Sequence, residues 1–362
     1  MQVVFVHGVN TRDNGHDLYK QAVAARDDRL RRLAFGADAK VYSPYWGQYG
    51  LPGKDLESFP AAKGAVQALG NPRSPLSTES FLALAKKNFI DLIAALSVAA
   101  ISTADLSSDQ DRRAIEDYWM AAVAYAEARG TPGWLVDVGT DAEFADKLSA
   151  EVGMASKIRS LGTGWLPGLP EFDFHALAAQ GARKVAAGFL AQFLGDALMF
   201  FSRRAQSAAV RQEITKHIVL AATAAAVDNG PLILIGHSMG GTVLHEVLSD
   251  PEEVALIEKQ LGRPLVVDLF LSVGTQIGLF AELNLFPTSS GERALAVPIK
   301  NYWNIYDYTD TLAFLCGPLV KGSVDFEVNT AAGFIESHSA YFQSALFYAR
   351  LKARLKAIGI IS

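Results

Sequence analysis

A chain of 362 residues has room for one large domain, or for one domain carrying a substantial insertion. Half of its residues are hydrophobic and a fifth are charged, which supports a sizeable core and excludes global disorder. It carries 33 basic and 38 acidic residues, a net charge of −5, with no run of five or more basic residues, so a nucleic-acid partner is not expected.

Met1-Gln-Val-Val-Phe-Val opens the chain without a basic segment, which argues against a secretory signal. Val3–Val6 is the first of six short β-branched or apolar runs, and it ends in His7-Gly8-Val9-Asn10. Asp13-Asn14-Gly15-His16-Asp17 reads as a polar turn, because it lacks the length and closing glutamate of a calcium loop. Lys40–Tyr42 is the second run, followed by the aromatic cluster Tyr42-Ser43-Pro44-Tyr45-Trp46, which either lines a pocket or fills space. The other four are Leu232–Ile235, Leu265–Val273, Ile299–Tyr306 and Val324–Val328. Most are apolar on consecutive residues, as strands buried on both faces of a parallel sheet should be.

Residues 51–214 break this pattern. After a Pro/Gly/Ser-rich connection they read as helices near 81–104, 109–129, 141–159 and from 175 onward. Asp109–Arg129 has serine and aspartate at its start and Gly130 before Pro132 at its end, good capping chemistry at both termini. The expectation is a helical cap at 51–214 inserted into an α/β core formed by 1–50 and 215–362. Its apolar stripes, Phe81 to Ile101 and Phe189 to Phe201, have two readings: helix-on-helix packing, or a lid in peripheral contact with lipid. Trp134 and Trp165, like the aromatic cluster after the second run, either line a pocket or fill space. The apolar run Leu92–Ile101 is about half of the roughly 20 residues a spanning helix needs, so no integral membrane span is expected.

The stretch Ile235-Gly236-His237-Ser238-Met239-Gly240-Gly241 carries the most chemistry. It follows a buried-strand pattern and precedes a helical one, in which Val243, Leu244, Val247 and Leu248 share a face until Pro251. A Gly-x-Ser-x-Gly sequence in that context is a nucleophile elbow. The serine occupies a strained turn, the flanking glycines permit close backbone packing, and the helix aims its positive end at developing negative charge. An oxyanion hole needs two converging amides, and those of Met239 and Val9 are the candidates. Enzymes with such an elbow run nucleophile, acid, base along the chain. Of seven histidines, His245 and His338 follow Ser238. His245 lies seven residues on, roughly 10 Å along a helix, so His338 is the expected base. Asp307 and Asp310 compete as the acid, with Glu282 behind them; Asp310, on the more mobile loop past the strand and so freer to reach a histidine N–H, is the first choice, and Asp307, its direction set by the pleat, the alternative.

Taken together these residues resemble the α/β-hydrolase superfamily, in particular its bacterial lipase- and esterase-like serine hydrolases. The resemblance covers about half of the chain, and Ser272 to Leu279 is similar to a strand-end loop of such lipases. It implies a mostly parallel sheet of about six strands, helices on both faces and a lid. It also implies cleavage of small-molecule or lipid-like carboxylic esters through an acyl-enzyme, with no metal or organic cofactor. A thioesterase or acyltransferase uses the same chemistry, and a non-catalytic scaffold binding a partner through the insertion is the reading from another class. The single cysteine, Cys316, fits a reducing compartment, and the expected location is cytoplasmic.

Overall fold

The computed structural model describes residues 1–8, 17–49, 81–103, 108–153, 205–286, 295–330 and 337–362. Val9, most of the 13–17 turn, the 51–80 connection, Trp165 and the 189–201 stripe lie outside the described residues.

Six strands form one sheet: β1 (Gln2–Val6), β2 (Lys40–Tyr42), β3 (Leu232–His237), β4 (Leu269–Val273), β5 (Tyr302–Tyr306) and β6 (Ser323–Glu327). Their order is β2-β1-β3-β4-β5-β6, and every neighbouring pair is parallel. The protein is therefore of the α/β class, with a six-stranded parallel sheet. β4 and β5 are shorter than the apolar runs that contain them. Val267 and Ile299 make an isolated bridge ahead of the ladder, where Pro298 has no N–H to give.

Side chains alternate along each strand, and the two faces take different helices. Val4, Val6, Leu232, Leu234, Phe270 and Tyr302 join one core with α6 (Ala205–Val227), α7 (Met239–Ser249) and α8 (Pro251–Leu261). Val243, Leu244, Val247 and Leu248 of α7 are completely buried, each contributing about 1.5–3 kcal/mol of hydrophobic stabilisation. Phe5, between Val4 and Val6, faces the other way. There the Arg26 guanidinium of α1 (Asp17–Arg29) lies 3.8 Å above its ring. The chain thus leaves β1 into a helix on one face and leaves β3 into a helix on the other. Strand order reverses at this pair, the kind of switch point where a parallel sheet opens a crevice beyond its strand ends.

By compactness the chain divides into two units, one of Met1–Ala61 with Lys184–Val328 and one of Ala62–Arg183 with Asn329–Ser362. The second holds α2 (Phe81–Lys87), α3 (Phe89–Thr103), α4 (Asp109–Arg129) and α5 (Asp141–Glu151). It also holds α10 (Ser337–Ala340) and α11 (Ala345–Ala357), numbered after the short α9 (Ile277–Glu282) of the first unit. The residues from Asn329 onward group with the inserted helices, whereas the sequence division kept them with the sheet. The physical reason is the apolar face of α11, which packs on α3 and α4, with the Ala345 amide donating to Ser97 Oγ at 3.4 Å and Arg350 pairing with Glu127 at 3.1 Å. Trp134 packs between Phe89 and Phe144 and donates to the Tyr125 hydroxyl at 2.9 Å. Among the described residues no helix is long and apolar enough to cross a membrane.

The start of α4 follows from Ser108, whose hydroxyl accepts the Asp111 amide, and its end from Gly130 at φ 62°. Ser108→Ala should cost about 1 kcal/mol of unfolding free energy, read from urea titrations followed by circular dichroism. An unchanged midpoint would mean the cap contributes nothing to folding.

Candidate functional site

Ser238 sits where β3 ends and α7 begins, with φ 54° and ψ −134°. A non-glycine residue pays for positive φ in local strain, and surrounding packing must hold it there. That packing is mostly backbone in contact with backbone. A Cβ on Gly236 would overlap the Gly241 backbone, and one on Gly240 would overlap the carbonyls of Val6 and His7. One on Gly241 would overlap the Thr275 methyl. Glycine at each position lets α7 start hard against the ends of β1 and β3. The Ser238 amide donates to the Val273 carbonyl at 2.9 Å, and its own carbonyl accepts the Gly241 amide at 3.0 Å.

The end of β1 reaches the same point. A Cβ built on Gly8 would lie 2.8 Å from Ser238 Cβ and 3.2 Å from Oγ, so the missing side chain is what admits this loop. Neighbouring His7 is held on several sides. It stacks on Trp46, with ring centroids 5.2 Å apart and planes 3° from parallel. Nδ1 pairs with the Gly8 carbonyl at 2.8 Å, and Nε2 accepts the Trp46 amide at 3.4 Å. This arrangement assigns the proton to Nδ1 and leaves His7 as a brace for the loop. Trp46 returns a second bond, its indole N–H donating to the His7 carbonyl at 2.8 Å. The aromatic cluster after β2 thus acts on the site through Trp46, a role its sequence did not distinguish from space filling.

Met239 is the first residue of α7 and is fully buried, and the first amides of a helix have no intrahelical acceptor. Val9, the other amide expected to line an oxyanion hole, lies outside the described residues.

Both candidate acids follow β5 in the same unit as Ser238. Asp307 and Asp310 are 2% and 3% exposed. Asp307 Oδ1 accepts the Thr309 amide and hydroxyl, both at 2.8 Å; Asp310 Oδ1 accepts the Leu312 amide at 2.9 Å. The sequence separated them by the freedom of a mobile loop, and the structure removes that distinction. Each carboxylate closes its own turn, and the loop is anchored beyond them: Asn304 Nδ2 holds the Phe314 carbonyl at 2.9 Å and Asp325 at 2.7 Å. Asp325 in turn takes the amides of Cys316 and Gly317, each at 2.8 Å. Glu282, the third acid, is exposed at the end of α9.

His338 lies on α10, buried, in the second unit. The first unit therefore holds Ser238, Gly8, Met239 and the Asp307/Asp310 loop, with Gly8 against Ser238, and the second carries His338. His245 occupies the interior instead, against Phe286 and Tyr302, whose hydroxyl lies 3.3 Å from Nδ1. Burial lowers its pKa to about 3, so it stays neutral. Burial likewise pushes the Cys316 thiol up to about 12, which makes it a poor nucleophile. Among the described residues no group of three or more His, Cys, Asp or Glu converges as metal ligands do. Searches of protein-family models, curated proteins and solved structures gave no match to this chain.

His245 makes stability depend on pH. Its folded pKa is depressed from 6.5 to about 3, so the unfolded chain binds the proton first as pH falls. Its contribution is complete above about pH 6.5 and is lost as pH drops toward 3. Between pH 7 and pH 4.5 the wild-type protein should lose roughly 2–3 kcal/mol more in urea than His245→Leu does. Parallel losses in the two proteins would place the acid sensitivity elsewhere.

Proposed function

We propose that the chain is a serine hydrolase of carboxylic esters, an α/β-hydrolase of the lipase and esterase kind. The observation that supports this most directly is the strained Ser238 at the mouth of the switch point, with Gly8 packed against it. A tight structural turn has no use for a hydroxyl held at positive φ on a helix N-terminus, whereas a nucleophile does.

In this reading Ser238 Oγ attacks the acyl carbon while His338 takes its proton. Asp310 orients the imidazole and supports its positive charge. The amides of Met239 and Val9 receive the oxyanion, in a place where a preorganised donor can be worth about 10²–10³ in rate. The tetrahedral adduct collapses, the alcohol leaves with the proton from His338, and the acyl group stays on Ser238. Water then attacks the acyl-enzyme with His338 again as base, releasing the acid and restoring the serine. No step requires a metal or an organic cofactor. Trp46 and His7 set the loop that brings Gly8 to Ser238.

A fluorophosphonate probe followed by peptide mapping should label Ser238, and an ester series of increasing acyl length should define the substrate class. Ser238→Ala should lower ester turnover by about 10⁴-fold or more without loss of fold. Full activity in that variant, or labelling at another residue, would sink the reading.

The two aspartates give a sharper test. Asp310→Asn should lower kcat by roughly 10³–10⁴ while the melting temperature changes little. Asp307→Asn should act mainly on stability, by about 1–3 kcal/mol, because its carboxylate holds the Thr309 amide and hydroxyl. The reverse pattern in steady-state kinetics and melting curves would make Asp307 the acid.

A further inference from the structure

We propose that Gln276 is a positioning residue that ties the acid loop to the nucleophile's side of the sheet; the proposal rests on the hydrolase reading of Ser238 and Asp310. Gln276 is fully buried at the start of α9, three residues past β4. Its Nε2 donates to the Leu312 carbonyl at 2.7 Å and to the Gly274 carbonyl at 3.2 Å. Gly274 adjoins Val273, whose carbonyl accepts the Ser238 amide at 2.9 Å. Leu312 gives its own amide to Asp310 Oδ1 at 2.9 Å. One side chain therefore sits in a continuous path from the nucleophile's amide to the acid's carboxylate.

The amide's orientation is not ambiguous. With two carbonyls as neighbours, the flipped arrangement would set Oε1 against two oxygens and leave them without a donor. Oε1 therefore turns away from both, where it is buried and meets no donor among the described residues. A buried acceptor left that way costs stability. A methionine of similar length would fill the space without that cost, so burial alone gives no reason for glutamine here. Its two donated bonds do. The loop has other anchors farther along, since the Phe314 amide donates to the Thr275 carbonyl at 3.0 Å and Asn304 holds the Phe314 carbonyl. Without Gln276 the loop stays attached, and what loosens is its Leu312 end, next to Asp310.

Gln276→Met removes both donors and the orphan acceptor together. The variant should still be labelled at Ser238 by a fluorophosphonate and should melt near the wild-type temperature. Its kcat on p-nitrophenyl butyrate should fall about 10²-fold with little change in KM, the scale expected of a misplaced catalytic group. The acidic limb of its kcat/KM profile should move to lower pH, because a displaced carboxylate supports imidazolium less. In an Asp310→Asn background the same change should cost little more, since the two act as a unit. Wild-type kcat and pH profile in Gln276→Met would overturn the proposal, as would a loss that multiplies in full on Asp310→Asn. A wild-type protein that is not labelled at Ser238 would overturn the hydrolase reading itself, a distinguishable result. Should Gln276→Met fail to fold, Gln276→Leu, which is apolar and likewise gives no donor to either carbonyl, carries the same expectations.

Discussion

The contact on which the rest depends is that of Gly240 with the carbonyls of Val6 and His7. No side chain fits between them, so the first turn of α7 lies directly on the end of β1. This fixes three things together. The chain must reverse within one residue after His237, which forces Ser238 into positive φ. The helix axis begins at the sheet's edge, so its N-terminal amides face the crevice between β1 and β3. Gly8, just past the end of β1, then lies against Ser238, and its missing side chain is what permits the contact. A larger residue at Gly236 or Gly240 would have to push backbone aside, and one at Gly8 or Gly241 the side chain of Ser238 or Thr275; overpacking of this kind typically costs about 1–3 kcal/mol or more.

Beyond this rigid centre the loop after β5 is held by polar rather than apolar forces. Asn304 is fully buried in β5, yet its side chain meets Ser272, Phe314 and Asp325. Asp325 collects three donors, from Asn304, Cys316 and Gly317. Such a network adds little net stability, because each bond replaces one made to water. What it adds is directionality. Hydrophobic contact tolerates sliding, while a carboxylate with three donors does not. The same negative charge beside Cys316 adds to burial in raising its thiol pKa, so the one cysteine near the site stays protonated.

Much of the sheet was legible in the sequence because parallel strands buried on both faces show as continuous apolar runs. Gln2–Val6, Lys40–Tyr42 and Ser323–Glu327 fall within a residue or so of the expected runs. The runs overran at Leu265 and Ile299, since apolar residues continue past the point where hydrogen-bonded pairing begins. The tight turn from β3 into α7 was legible because glycine spacing, strand and helix coincide there. Other parts were not. The continuation of α1 as a π turn through Leu30–Phe35 has no distinguishing composition. That α11 joins the inserted helices depends on a match between apolar faces far apart in sequence. Gln276 gave no signal either, as its role is set by a carbonyl 36 residues away.

The two aspartates show how far a sequence argument about mobility can go. Residue spacing put Asp307 at the strand end and Asp310 beyond it, and from that a difference in freedom was inferred. Both prove to be buried in tight turns, with the Asp310 amide donating to the Asp307 carbonyl at 3.0 Å. What now separates them is how their turns are fastened. Asp307 Oδ1 is taken twice by Thr309, so its carboxylate spends that oxygen on closing its own turn. Asp310 Oδ1 accepts the Leu312 amide, and Leu312 is secured through Gln276 to the segment that follows β4. A carboxylate that must orient an imidazole needs a fixed position and an oxygen not already committed to the turn. Asp310 meets the first need through a partner at the start of α9. In the proposed mechanism the case for Asp310 rests on rigidity, the opposite of the ground on which the sequence had favoured it.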